Sequence, residues 1–193
     1  MEITGRPGAV APADGVVLLA VNLDDASSEI EGPVAADGSF TLALPGELAH
    51  GYRLQARNEE RSDPVDVTGT ADGAPVAVLP VPSGECLTSF PPLELEFGDV
   101  PAGAPINVGS VTFANGCAGA VTLAAATLRK GLPAFLVMQA GQYPKTIEPG
   151  TQEVAEVGFK SLTPGLHEDI LFVALETPDG PRRIVTVRGN IVP

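Results

Sequence analysis

The feature that most constrains this chain is a two-residue alternation of apolar and polar side chains, interrupted every few positions by Gly and Pro. Phe40, Leu42 and Leu44 fall on one side of an extended segment, Thr41 and Ala43 on the other. Tyr52, Leu54 and Ala56 alternate with Arg53, Gln55 and Arg57, and Leu93, Leu95 and Phe97 alternate with Glu94 and Glu96. Successive side chains point to opposite faces in a strand, so this period predicts half-buried antiparallel strands. Residues 16–21 and 170–175 are apolar on both faces and suit central strands. The 22 Gly and 19 Pro leave little room for helices of ordinary length. Residues 119–130 are the ambiguous stretch, because Ala124, Ala125 and Ala126 favour helix. Val121, Thr122 and Thr127, with no N-cap before them, predict a strand there instead.

Turn chemistry divides the chain. Asp37-Gly38, Asp72-Gly73, Pro149-Gly150 and Pro178-Asp179-Gly180 mark reversals. At 193 residues the chain is long for one β-sandwich and suits two, of roughly 80 to 110 residues each. The boundary falls at Leu79-Pro80-Val81-Pro82-Ser83-Gly84, where two prolines stiffen a short connector. The expected fold is all-β: two tandem antiparallel, immunoglobulin-like sandwiches over residues 1–82 and 83–193.

Charge narrows the function. With 24 acidic and 11 basic residues the chain carries a net charge of −13. Phosphate neutralisation needs clustered Lys and Arg, and only Arg129-Lys130 and Arg182-Arg183 are adjacent, each read as a strand-end pair. Nucleic acid is therefore not an expected partner, and an anionic membrane surface would repel the chain. The acidity is expected to keep an apolar β-rich chain soluble and monomeric. No apolar run reaches the ~18 residues of a membrane span.

The first half, roughly residues 2–80, resembles the carboxypeptidase-regulatory or transthyretin-like β-sandwich and overlaps in pattern with bacterial Ig-like repeats. The residues that carry it are Ile3-Thr4-Gly5, Gly8-Ala9-Val10 with Pro12, Asp37-Gly38-Ser39-Phe40, and residues 52–58 followed by Ser62, Pro64 and Val65. Glu59-Glu60-Arg61 departs from that pattern, where relatives have a Gly-containing turn. The second half, roughly residues 86–193, resembles the ASH/MSP-type immunoglobulin-like family. Its landmarks are residues 93–100 with Gly103, then Val111-Thr112-Phe113-Ala114-Asn115-Gly116, Phe135 and Val137. Ile147-Glu148-Pro149-Gly150, Val157-Gly158-Phe159, Pro164-Gly165 and Val185-Thr186-Val187-Arg188-Gly189 follow in order. Both resemblances imply non-catalytic modules that act as spacers, adhesion units or docking surfaces for other proteins.

Few residues could carry chemistry. Cys86 and Cys117 are the two cysteines; a disulfide between them would close a loop of about 30 residues, worth roughly 3–4 kcal/mol on a chain-entropy estimate. Two separate buried thiols are the alternative. Neither has a CxxC partner or a nearby His, so a metal site is not expected. Met1 is followed at once by strand-like sequence, which fits either a cytoplasmic protein or a mature region without its signal. The cysteine pair favours the second, an extracytoplasmic protein. His50 and His167 lack a neighbouring nucleophile and orienting carboxylate, and neither GxSxG nor HExxH occurs. Ser27-Ser28 and Ser161 sit in turn-like sequence. Asp63, Asp66, Glu94, Glu96, Glu153 and Glu156 could supply a carboxylate pair, but glycoside hydrolysis wants an aromatic cleft, and the chain has no Trp and two Tyr.

The acidic loop Asn22, Asp24, Asp25, Glu29 and Glu31 could attract Ca²⁺, although it lacks the DxDxDG order and reads more simply as solvated. No other cofactor is expected. The sequence thus predicts a non-catalytic structural or protein-interaction protein of the bacterial envelope or exterior, docking a protein partner through sandwich surfaces and sheet edges. The alternative is a carbohydrate- or small-ligand-binding module using Phe90 and Tyr143.

Overall fold

The structure, a computed structural model, describes residues 1–24, 28–48, 50–58, 62, 64–68, 77–78, 86–176 and 182–193. The chain divides into two compact units, Met1–Val81 and Pro82–Pro193. The expected proline connector and the turns at Asp72-Gly73 and Pro178-Asp179-Gly180 lie outside the described residues. Both units are built from strands, with one 3₁₀ turn at Ala140–Gln142 as the only helical element among the described residues.

In the first unit, β1 (Glu2–Gly5) pairs with β4 (Phe40–Ala43), and a five-stranded sheet has the order β3-β2-β5-β6-β7. Its strands are β2 (Val17–Asn22), β3 (Glu29–Pro33), β5 (Gly51–Arg57), β6 (Val65–Thr68) and β7 (Ala77–Val78). Ile3, Leu42 and Leu44 from the β1–β4 side meet Leu18, Ala20, Tyr52 and Val67 of the sheet in one apolar core. The predicted Phe40 alternation is present, with Thr41 and Ala43 exposed.

β5 departs from the half-buried expectation, because Arg53 and Gln55 are buried along with Tyr52. Arg53 forms a two-pronged pair with Asp66 on β6, Nε to Oδ1 at 2.7 Å and Nη2 to Oδ2 at 2.9 Å. Gln55 donates through Nε2 to the Ser62 carbonyl and accepts from Nε and Nη2 of Arg57. Their cross-strand neighbours on β2 are Val21 and Leu19, both buried. Long polar side chains are thus buried on this face, their heads hydrogen-bonded to Asp66, Ser62 and Arg57.

The second unit is an immunoglobulin-like sandwich of a four-stranded sheet, β12-β14-β10-β8, and a five-stranded sheet, β13-β11-β15-β16-β9. The first contains β8 (Leu87–Phe90), β10 (Asn107–Asn115), β12 (Phe135–Val137) and β14 (Gln152–Phe159). The second contains β9 (Glu94–Pro101), β11 (Val121–Leu128), β13 (Lys145–Ile147), β15 (Gly165–Glu176) and β16 (Arg182–Val192). Residues 121–128 are strand despite their alanines, because Leu123 and Ala126 are buried in the core and cross-strand pairing with β13 and β15 outweighs a weak helix preference.

One pairing is parallel: β9 runs alongside β16. Pro91 and Pro92 separate β8 from β9, and without N–H groups they cannot extend the β8 ladder. The chain therefore leaves the four-stranded sheet and enters the five-stranded one. The register between β9 and β16 shifts between Arg188 and Asn190, opposite Gly98, whose φ of 65° lets the strand bulge. Leu95 and Val100 then both face the core. Phe97, Phe135 and Phe159 cluster there, with centroids 4.9 to 6.1 Å apart, Phe135 stacked on Phe159 and Phe97 tilted against both.

Candidate functional site

The structure joins Cys86 and Cys117 in a disulfide, Cα atoms 4.6 Å apart. The surrounding bonds show how the sequence brings them together. Gly116 N donates to the Cys86 carbonyl at 2.7 Å. The buried Asn115 side chain accepts from Cys117 N and donates to the carbonyls of Gly119 and Ile147. Asn115-Gly116 was legible as a sequence landmark, but its part in fixing the cysteine turn was not. Arg183, expected as a strand-end residue, is instead buried, with Nη2 donating to the Leu87 carbonyl at 3.1 Å.

Among the described residues, the acidic groups of the first unit's loop do not gather as a cation site. Asn22 Oδ1 accepts from Asp24 N, and its Nδ2 donates to the Pro45 carbonyl and reaches His50 Nδ1 at 3.0 Å. Asp24 Oδ2 accepts from Gly51 N at 2.7 Å, and Glu31 pairs with Arg57. Asn22 and Asp24 tie the end of β2 to the start of β5, and Glu31 joins β3 to the end of β5. Asp25 lies outside the described residues, among which no three His, Cys, Asp or Glu side chains gather as a metal site.

The histidines serve as local hydrogen-bonding groups. His50 Nδ1 takes an N–H from Glu47 and also meets Asn22 Nδ2. His167 uses Nε2 toward the Thr163 carbonyl at 2.9 Å and stands 6.0 Å from the Phe159 ring. Ser161 Oγ accepts from Thr163 N, within its own turn. Ser27 and Asp63 lie outside the described residues. Of the other carboxylates, Asp66 holds Arg53, Glu96 faces Arg188 at 3.4 Å and Glu153 faces Lys145 at 3.6 Å.

Sequence reasoning missed Asp169. It is fully buried on β15, and its carboxylate accepts N–H bonds from Lys130, Leu132 and Ile170 at 2.7 to 2.9 Å. Three donors on one buried carboxylate form a structural clamp on the segment between β11 and β12. Nothing local marks it, since two of its donors lie 39 and 37 residues earlier.

Phe90 and Tyr143 do not share a binding platform. Phe90 stands on the outer face of β8 and is 77% exposed, whereas Tyr143 packs against the core. The Tyr143 hydroxyl is buried without a hydrogen-bond partner among the described residues. Burial, and then the charge of Glu153, push its pKa up.

The feature with the reach of a binding surface is the outer face of the four-stranded sheet. Leu136 on β12 lies opposite Gly158 on β14, which lies opposite Val108 on β10. A second row joins Val154, Thr112 and Phe90 across β14, β10 and β8. Between the rows, Glu156 is paired with Ser110. Val108, Leu136 and Val154 are all exposed, as is Ile106, which enters β10. Any Cβ at Gly158 would collide with the Ile106 side chain, so the glycine lets that isoleucine lie across the strand.

No family model matches the sequence, and no curated protein matches it. Among solved structures, the ASH / PapD-like domain of human CEP192 is 11% identical, with TM-score 0.40 over 63% of this chain and 98% of that one. An MSP-domain-like protein of Caenorhabditis elegans, SSP-19, is 12% identical, with TM-score 0.40 over 53% of this chain and 98% of its own. The VesB protease of Vibrio cholerae is 12% identical, with TM-score 0.45 over 93% of this chain and 63% of that one. These are partial superpositions, and the immunoglobulin-like assignment of the second unit stands on its own strand order.

Proposed function

We propose that this chain is a non-catalytic protein-interaction protein of the bacterial cell envelope or exterior. The observation that carries the reading is the outer face of the β12-β14-β10-β8 sheet. It keeps large apolar side chains in water although the core of the unit is already closed between two sheets. Exposed apolar groups gathered on one face mark protein contact sites more often than isolated ones do. The disulfide supports an oxidising compartment, and the order of landmarks shared with ASH/MSP-type domains supports a docking role.

The test is to fractionate native cells and to place a photo-cross-linking residue at Leu136. The chain is expected in the envelope or medium, oxidised at both cysteines by mass spectrometry, and cross-linked to protein from position 136. A cytoplasmic chain with free thiols would remove the compartment, and no protein adduct from position 136 would remove the docking role.

A further inference from the structure

We infer that the partner docked on this sheet face presents apolar side chains around an Arg or Lys that pairs with Glu156. This rests on the reading of the chain as a protein-binding module and names the chemistry of what it binds. Along the four strands, the outward positions alternate with those that enter the core. β10 carries no charged residue over its nine positions, and β8 and β12 carry none. On β14 the acidic residues are Glu153 and Glu156. Glu153 shares the inward set with Phe113, opposite which it is registered, and it faces Lys145. Among the described strand residues, Glu156 is therefore the single ionisable side chain on an outer face that holds Phe90, Val108, Leu136 and Val154.

That isolation is informative in a chain with a net charge of −13. The cores of protein interfaces are depleted of charge, and this face is too. Glu156 is half-buried, between the row of Leu136 and Val108 and the row of Val154 and Phe90. Its carboxylate has no hydrogen-bond or ion-pair partner among the described residues. Any partner broad enough to cover both apolar rows must also cover this carboxylate. A purely apolar partner would strand a buried charge, which is strongly unfavourable, whereas a cation delivered to the same place satisfies it. A second copy is a poor occupant: it brings the same acidic excess, and pairing like faces about a two-fold axis through their centre would set carboxylate against carboxylate. A cationic partner would also be drawn in by the field of the acidic chain.

The experiment uses the full chain and immobilised pools of short synthetic peptides. The pools share a random background of alternating apolar and hydroxyl residues and differ only at the centre, which is Arg, Lys, Gln or Glu. The Arg and Lys pools should bind most tightly, by about 10-fold over the Gln pool. Glu156→Gln should abolish that preference, and Glu156→Lys should invert it toward the Glu pool. Leu136→Ser and Val108→Ser should weaken all binding by about 10-fold. These positions are on the surface, and an unchanged melting profile keeps a folding defect from imitating the result.

Preference for the Gln or Glu pool by the unaltered chain overturns the inference, as does a preference that Glu156→Lys leaves in place. Sedimentation showing a dimer that Leu136→Ser dissolves would assign the face to a second copy and overturn it as well. If the photo-cross-link from position 136 to a native protein persists unchanged in the Glu156→Lys chain, the docking role stands and the cationic partner does not.

Discussion

In the first unit, the sheet face turned away from the core sets Val21 and Leu19 beside Arg53 and Gln55, and all four are buried. In the second unit, the outer face of the four-stranded sheet leaves Val108, Val154 and Leu136 in water. The two units therefore treat the second side of a sheet in opposite ways. The first has a small apolar core, and at that size the surface a domain buries is marginal. On the far side it buries long polar residues, whose heads bond to Asp66, Ser62 and one another. The second closes its core between two complete sheets, with three phenylalanine rings in contact. It has no structural use for apolar groups outside, which makes those groups informative about binding.

The largest effect should come from the ring stack. Phe159→Ala is expected to cost the second unit about 4 kcal/mol, read by calorimetry as a large drop in one of two transitions. A drop shared by both transitions would break the comparison, because the units would not then unfold separately. Next in size is Asp66→Ala. It removes the two-pronged partner of a buried guanidinium and should cost the first unit about 2 kcal/mol, leaving the other transition in place. An effect near zero would mean that the ion pair with Asp66 adds little to the stability of the first unit.

The smallest effect separates the two tyrosines, one in each unit. Burial raises both pKa values above 10.0, aided by the charges of Asp24 and Glu47 at Tyr52 and of Glu153 at Tyr143. The unfolded phenols ionise first, so stability should be undiminished below pH 10.0 and fall as pH rises from there toward the folded values. Tyr52→Phe also loses the hydrogen bond to the Glu47 carbonyl, 2.7 Å long, and should cost about 1 kcal/mol at neutral pH. Tyr143→Phe removes a hydroxyl that has no partner among the described residues. It should leave neutral stability nearly unchanged while flattening the alkaline loss. Equal neutral costs at the two positions would show that the Tyr143 hydroxyl is satisfied in solution.

Alternation made much of the fold legible, and the reasons it stopped short are physical. Leu95 and Phe97 could be assigned to one face from their spacing, but spacing carries no strand direction, so the parallel course of β9 beside β16 was hidden. Arg53 and Gln55 look like solvent-facing residues by type. Their hydrogen bonds to Asp66 and Ser62 form only once β5 and β6 pair. The exposed face was hidden for a related reason. Val108, Leu136 and Val154 come from three separated strands, and only the register reveals that they share a surface with a lone carboxylate between their rows.

The disulfide has a mechanical meaning as well. A pull transmitted along the backbone that reaches Cys86 can cross directly to Cys117, so the 31-residue separation is bypassed by the load. While the bridge is closed, β8, β9 and β10 lie inside the shielded loop and add nothing to the extension of the chain under tension. Opening the bridge would release a further contour of about 100 Å at the extended spacing of a polypeptide. The cysteine pair therefore withholds that length from the chain under tension for as long as it stays oxidised.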